Sequence, residues 1–126
     1  MMAEKTFSVE IDHAANLIVI RYRGRVGAAE VRECAAEIAA RLAEIAPGFR
    51  LLADLTGLEA MDIDSAPDIE RIMKLCNEKG VDVVVRVIPD PRRDIGLQIM
   101  SYFHYGPEVQ IVTCATVDEA MNILSG

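Results

Sequence analysis

The sequence has little that would bind a membrane or a nucleic acid. Its longest purely apolar runs are short, such as residues 17–20 and 83–85, whereas a membrane-spanning helix needs about 20 apolar residues. Its 13 lysines and arginines are scattered and the formal net charge is −7, whereas a surface that binds a duplex needs clustered basic residues. The N-terminal MMAEKTFSVE also lacks an apolar stretch of signal-peptide length. We therefore expect a cytoplasmic protein that binds neither membrane nor nucleic acid.

The sequence is also poor in residues and motifs that carry chemistry. Its three cysteines lie far apart among apolar neighbours, which predicts buried thiols. Neither of its two histidines is near a cysteine, so nothing indicates a zinc site. A glycine-rich phosphate loop and a G-x-S-x-G motif are both missing, and apolar residues interrupt the aspartates at 54, 62 and 64, which disfavours a metal loop. We predict a protein that is not an enzyme and holds no cofactor or metal.

What is present is enough apolar material for a core, since 52% of the 126 residues are apolar. This predicts one domain over residues 1–126. Strands and helices alternate after an initial hairpin, in the order β-β-α-β-α-β-α-β-α, which indicates an α/β domain with right-handed crossovers and a mostly parallel sheet. The predicted elements are strands at 7–11, 17–23, 49–55, 81–88 and 109–115, and helices at 28–45, 65–80, 94–103 and 116–124.

The segment LLADLTGLEAMD, residues 51–62, and the order of elements together resemble the STAS domain, the fold of bacterial anti-sigma-factor antagonists. That family carries a motif close to D-L-S-x-V-x-x-[IM]-D-S-S-G after an apolar strand, and the segment CATVDEAMNIL is similar to its last strand and helix. The likeness covers residues 6–125. It implies a STAS-like fold, with about five mostly parallel strands and helices mainly on one face. The matching residues are Asp54, Leu55, Thr56, Leu58, Met61 and Asp62.

The resemblance also implies a bacterial regulatory module that binds a protein partner, either an anti-sigma factor or another kinase-like regulator. In the family a serine or threonine directly follows the second aspartate, and its phosphorylation breaks the complex. Here Ile63 occupies that place. Isoleucine has no hydroxyl, so we predict that the standard phospho-switch is absent. The predicted docking surface is the loop from Asp54 to Ser65 together with the helix that follows. The predicted partner-binding residues are Asp54, Thr56, Met61, Asp62, Ile63, Asp64 and Ser65.

Several of these residues have two interpretations. Ser65 is either a displaced phosphoacceptor or, as its position favours, the N-cap of the next helix in a capping box with Asp68. Asp64 either imitates a permanent phosphate or only stabilises the positive start of the helix. Met61 and Ile63 are either apolar anchors for a partner or core residues. We expect Ile63 to be partly exposed and leave Met61 open.

A second region of interest is SYFHYGPE, residues 101–108, which holds three of the six aromatic residues. Helical spacing predicts that this helix turns its most apolar residues inward and leaves the residues at its C-terminal end exposed. The predicted inward residues are Ile95, Ile99 and Tyr102 or Phe103. The possible ligand-binding residues are Arg92, Arg93, His104 and Tyr105.

Two alternative functions and one possible assembly therefore remain open. The first is a carrier or sensor of a small ligand such as a nucleotide or lipid, which a deep cavity between the helices of Ile69 and Ile99 would favour. The second is a small enzyme that uses His104, which needs a pocket joining it to a second titratable group. The sequence also leaves open a homodimer through the edge strand at 6–12 or through apolar helix faces.

Overall fold

The computed structural model describes residues 6–94 and 96–125, without the side chains of Arg93 and Tyr102. Strands and helices follow in the predicted order, with short 3-10 turns at residues 42–44, 63–65 and 91–93. In chain order the elements are β1 (Phe7–Asp12), β2 (Leu17–Val26), α1 (Ala28–Arg41), β3 (Arg50–Met61), α2 (Ala66–Lys79), β4 (Val83–Val87), α3 (Leu97–His104), β5 (Gln110–Cys114) and α4 (Val117–Ser125).

The five strands form one sheet in the order β1-β2-β3-β4-β5. Strand β1 pairs with β2 antiparallel, and all later pairs are parallel. Each crossover therefore steps the same way along the sheet. Because such crossovers are right-handed, α1, α2 and α3 all lie on one face. No described strand follows α4, and it covers the other face, where it contacts β3, β4 and β5. The prediction of helices mainly on one face is confirmed.

The sheet is buried on both faces, which explains why its central strands are so apolar. On β3, Leu51 points into the large core under α1, α2 and α3, whereas Leu52 points into the smaller core under α4. The three cysteines are free and buried, as predicted: Cys34, Cys76 and Cys114. Burial raises the pKa of the Cys34 thiol to about 11 and that of the Cys76 thiol to about 12, so both are poor nucleophiles near neutral pH.

Strand β3 is longer than predicted, because it runs to Met61 instead of ending at Leu55. Its second half pairs with the second half of β2, from Arg23 opposite Gly57 to Val26 opposite Met61, with two register shifts on the way. The expectation of a loop from Asp54 onward is therefore wrong. The polar residues that suggested a loop lie on the exposed side of this pairing, while Leu55, Leu58 and Met61 are buried.

The predicted inward face of α3 is also wrong. Ile99 is 65% exposed and Phe103 is 79% exposed. The buried stripe is instead Leu97, Ser101 and Tyr105, spaced four residues apart. A serine fits this stripe because its hydroxyl donates to the carbonyl of Leu97 in the preceding turn, 2.7 Å away. Ile95 lies outside the described residues, and so does the Tyr102 side chain.

The ends of helices α2 and α4 lie where the sequence predicts them. Gly80 ends α2 in the left-handed conformation at φ 100°, as its position predicts. Thr116 caps α4, since its hydroxyl accepts from the backbone N–H of Glu119 at 3.2 Å. Within residues 6–94 and 96–125, no helix has both the length and the apolar character that a membrane span requires.

Candidate functional site

The connection from β3 to α2 is a single 3-10 turn that follows Asp62. Asp62 donates its backbone N–H to the carbonyl of Val26 at 3.0 Å and accepts the N–H of Ser65 at 2.9 Å. These bonds fix the turn against the end of β2. Met61 is buried, which answers the question about this residue, whereas Ile63 is 78% exposed. The turn thus presents three consecutive side chains to solvent: Asp62, Ile63 and Asp64.

Ser65 does not cap α2 with its side chain, so that prediction is wrong. An N-cap residue needs extended backbone, but Ser65 is already helical at φ −74° and ψ −16° because the 3-10 turn runs directly into the helix. The extended residue is Asp62, at the start of the turn. Ser65 is fully buried, and its hydroxyl has no hydrogen-bond partner among the described residues. A kinase therefore has no access to this hydroxyl in the folded chain.

Asp62 lies against the N-terminus of α1. A Cβ atom built on Gly27 would come within 3.5 Å of a carboxylate oxygen of Asp62 and 3.3 Å of one of Glu30. Glu30 accepts the Gly27 N–H at 3.1 Å and also accepts from the Thr6 hydroxyl. The positive end of α1 favours both carboxylates here. The turn is therefore supported by β2 and α1, which leaves Ile63 outermost.

Asp54 occupies a different place from the turn, although the sequence puts them in one segment. Its carboxylate is buried, accepts from the Thr56 N–H at 3.0 Å and hydroxyl at 2.7 Å, and pairs with Arg21 at 3.3 Å. Arg21 also pairs with Glu10 at 3.0 Å. Asp54 thus ties β3 to β2 and, through Arg21, to β1, while Thr56 is exposed.

Within the described residues, no group of three His, Cys, Asp or Glu side chains could hold a metal ion.

The three possible ligand-binding residues whose side chains are described lie in different surroundings. Arg92 is exposed and chelated by Asp90, which raises its pKa through hydrogen bonding and charge. His104 pairs at 3.6 Å with Glu70 of α2. Tyr105 was expected to be exposed but is buried, and burial raises the pKa of its hydroxyl. The Arg93 side chain lies outside the described part of the structure.

A cavity of about 60 Å³ lies between the sheet and helices α2 and α3, where Tyr105 packs. Its walls are almost entirely apolar, with Leu51, Ile69 and Leu97 from three different elements. One wall residue is charged. Arg86 of β4 is only 3% exposed and points from the sheet into the space beneath α3. The sequence carried a signal for it, since Arg86 is the one charged residue within the apolar strand VVVRV.

Arg86 links three elements around this cavity. Its Nη2 donates to the Thr113 hydroxyl on β5 at 2.8 Å, and its Nη1 lies 3.9 Å from a carboxylate oxygen of Asp94. The other carboxylate oxygen of Asp94 accepts the N–H of Leu97 at 2.6 Å, at the first residue of α3. Asp94 therefore holds the start of α3 and the guanidinium of Arg86 together.

The architecture matches solved structures over nearly the whole chain. An uncharacterized protein from Shewanella loihica with a SpoIIAA-like fold aligns over 98% of this chain and 99% of its own, at 14% identity and a TM-score of 0.70. The anti-sigma factor antagonist SpoIIAA, in its unphosphorylated form, aligns over 95% and 98%, at 20% identity and a TM-score of 0.60. The chain has the STAS-domain fold.

A third match has the same level of similarity. An anti-sigma factor antagonist from Mycobacterium paratuberculosis aligns over all of both chains, at 19% identity and a TM-score of 0.60. No protein-family model matches the sequence, and no curated protein does. At such identities the likeness establishes the fold, and a STAS fold alone does not establish a function.

Proposed function

We propose that this STAS-like protein is a non-enzymatic regulatory module of bacteria that binds a protein partner through the turn at 62–64 and the start of α2. The observation that carries the proposal is Ile63. It is a large apolar side chain and is 78% exposed. It lies at the position that corresponds to the phosphorylated residue in the family that this sequence resembles. An isoleucine that is mostly exposed contributes little to the stability of the isolated chain, and its apolar surface becomes stabilising when a partner covers it.

The proposed partner is an anti-sigma factor or another kinase-like regulator, because structural neighbours of this fold are anti-sigma factor antagonists. The complex lacks the standard phospho-switch. Ile63 has no hydroxyl, and the nearby Ser65 hydroxyl is buried. Asp62 and Asp64 give the surface permanent negative charge, so the partner surface should be apolar with a basic rim.

The test begins by purifying the tagged chain from its native host and identifying what co-purifies. The affinity of the purified pair is then measured for the wild type, Ile63→Asp and the control Ile123→Asp, an exposed α4 residue on the opposite face. We expect Ile63→Asp to weaken binding by at least about tenfold, or about 1.4 kcal/mol, and the control to bind as wild type. Equal affinity in all three would refute the docking surface. Phosphate on the peptide of residues 54–71 would refute the proposal that the phospho-switch is absent.

A second candidate function has its own support in the cavity beneath α3. The predicted condition for a small-ligand carrier was a deep cavity between the helices of Ile69 and Ile99. Both α2 and α3 contribute walls to this cavity, whose volume is about 60 Å³. Apolar walls with a few polar groups are typical of ligand sites. This function is tested by titrating 1-octanol, a neutral apolar probe, into the protein while recording amide NMR shifts. Shifts confined to residues around the cavity support it, and their absence contradicts it.

A further inference from the structure

The two edge strands of the sheet, β1 and β5, differ in how they are protected. Natural proteins usually protect an edge strand with charged residues or proline, because its unpaired backbone groups can pair with another chain. Strand β1 exposes two acidic side chains, Glu10 and Asp12. Strand β5 contains neither a charged residue nor a proline, and no described strand pairs with its outer side. The edge at β5 therefore lacks the usual protection.

The backbone groups of Ile111 and Thr113 point towards this outer edge. Gln110 donates its N–H to the carbonyl of Asp82 at 3.1 Å, and the carbonyl of Cys114 accepts the N–H that follows β4 at 2.9 Å. Gln110 and Cys114 therefore face β4. Since backbone groups alternate in direction along a strand, Ile111 and Thr113 face outward. Within the described part of the chain, the N–H and carbonyl groups of these two residues have no backbone partner.

A groove of about 360 Å³ adjoins this edge at the start of β5. The end of α3 and the loop after it supply most of its walls, with apolar surface from Tyr105 and Val109, and Ile111 belongs to both the groove and the edge. A cavity of ~150 Å³ holds benzene in another protein, so the groove has room for one large apolar side chain. A strand beside β5 presents every second side chain to this face of the sheet. An extended segment can therefore pair with the edge and fill the groove together.

The charges around this edge favour a basic segment. Residues 94–126 contain four acidic residues and no lysine or arginine. Glu108 lies at the start of β5. At the other end, burial and then the charge of Glu119 raise the pKa of the Cys114 thiol, which places Glu119 near that end. Arg86 reaches β5 from within the core and is buried. Both ends of the edge thus attract positive charge.

A second copy of this chain fits the edge less well. A two-fold axis at the middle of β5 pairs the strand with itself in antiparallel register. The residue beside Val109 is then Thr113 or Ala115 of the second copy, and both side chains are too short to fill the groove. The same pairing brings the acidic start of one strand beside the acidic end of the other, where like charges repel. The occupant expected from these features is a different chain.

We propose that the outer edge of β5 binds an extended segment of another protein as a sixth strand of the sheet. This segment carries a large apolar side chain that enters the groove, with lysine or arginine on either side of it. Backbone hydrogen bonds to Ile111 and Thr113 supply affinity, and the groove and the acidic residues supply specificity. The surface shares no residue with the turn at 62–64, so it is tested independently of the proposed docking surface.

The probe is a short capped peptide in which lysine alternates with valine or leucine. Binding to the full chain is followed by amide NMR shifts and hydrogen exchange. We expect saturable shifts along β5 and slower exchange of the Ile111 and Thr113 amides. The same peptide with glutamate in place of lysine should bind at least about tenfold more weakly. Shifts centred on the turn at 62–64, or no saturable binding, would overturn the proposal.

Two methylated forms of the lysine peptide test the strand pairing directly. One form is methylated on the backbone nitrogens of its odd residues, and the other on those of its even residues. Only alternate residues of an added strand turn their N–H groups towards β5. We therefore expect one form to bind like the parent peptide and the other to bind at least about tenfold more weakly. Equal affinities of the two forms would show that the peptide does not add a strand.

Ile111→Pro is the matching change in the protein, because it removes an outward N–H and no bond to β4. Ile111→Ala is its control, since it shortens the side chain and keeps the N–H. We expect the proline variant to lose the peptide shifts and the alanine variant to keep them. Equal binding by the proline variant and the wild type would contradict the proposal. If the proline variant does not fold, the two methylated peptides still decide.

The charge requirement and the second copy are tested separately. Glu108→Gln should weaken binding of the lysine peptide by about threefold, whereas Glu10→Gln on the opposite edge should leave it unchanged. Equal effects of the two variants would contradict a basic segment at β5. Light scattering measures the mass of the protein without peptide. A wild-type dimer that Ile111→Pro converts to a monomer would assign the edge to a second copy and overturn the proposal.

Discussion

Apolar side chains are usually buried and charged side chains usually exposed. The turn at 62–64 and the cavity beneath α3 depart from this rule in opposite ways. At the turn, an apolar side chain, Ile63, stands in water. In the cavity, a charged side chain, Arg86, is buried. Core packing explains neither placement, because an isoleucine gains nothing outside and an arginine costs free energy inside. Local departures of this kind are expected where a sequence serves function as well as folding, and here they coincide with the two sites proposed above.

The largest expected effect separates the buried arginine from an exposed one. We expect Arg86→Ala to destabilise the fold by about 3 kcal/mol, because it opens a cavity and removes the guanidinium that faces Asp94. Arg92→Ala should leave stability unchanged within error, because Arg92 pairs with Asp90 in solvent. Urea unfolding monitored by circular dichroism measures both. Equal stability of the two variants would mean that Arg86 is not buried in solution.

The next effect concerns Asp54, which the sequence groups with the turn and the structure places in the sheet. Asp54→Ala removes the acceptor of two Thr56 bonds and the partner of Arg21. We expect a loss of about 2 kcal/mol in the free energy of unfolding, with little change in partner affinity. A strong loss of affinity in a variant that remains folded would instead assign Asp54 to the docking surface.

A smaller effect of opposite sign is expected at Ser65. Its buried hydroxyl has no hydrogen-bond partner among the described residues, so Ser65→Ala removes a desolvated polar group without breaking a bond. We expect the free energy of unfolding to rise by about 1 kcal/mol, as measured by the urea midpoint. A decrease of the same size would show that the hydroxyl caps α2 after all.

The smallest effect tests the two most exposed large apolar side chains among the described residues, one beside each region. Phe103→Ser and Ile63→Ser should each change stability by less than about 0.5 kcal/mol, since both side chains are more than three-quarters exposed. Thermal unfolding at fixed protein concentration measures this. A large loss of stability for Phe103→Ser alone would indicate that Phe103 faces the core, as apolar spacing predicts for α3.

The order of elements and the fold could be predicted from the sequence because each element carries its own periodicity. The predictions were wrong where a residue type is common in two different structural settings. Polar residues after Leu55 suggested a loop, but they line the exposed side of the strand extension that β2 makes possible. Ser65 has the chemistry of an N-cap, but the 3-10 turn before it had already begun the helix.

The candidate sites were predicted less completely, for a related reason. Apolarity favoured Phe103 as inward, yet the stripe that faces the sheet is set by where α3 begins, at Leu97. That start depends on Asp94 and its contact with Arg86, which lie on different elements. Local sequence patterns do not encode such contacts. The exposure of Ile63, by contrast, was expected, because departure from a family motif at a turn is visible in the sequence itself.

The agreement between strand order in the sheet and strand order in the chain has a consequence for biosynthesis. Each strand pairs with the one made just before it, so the nascent chain can extend the sheet at its outer edge without inserting a strand between two others. Strand β5 is the last to arrive, and it supplies Thr113, the hydroxyl that holds Arg86. The turn at Ile63 can therefore form before β4 and β5 have been made, whereas the charged cavity is assembled only after β5 has been added.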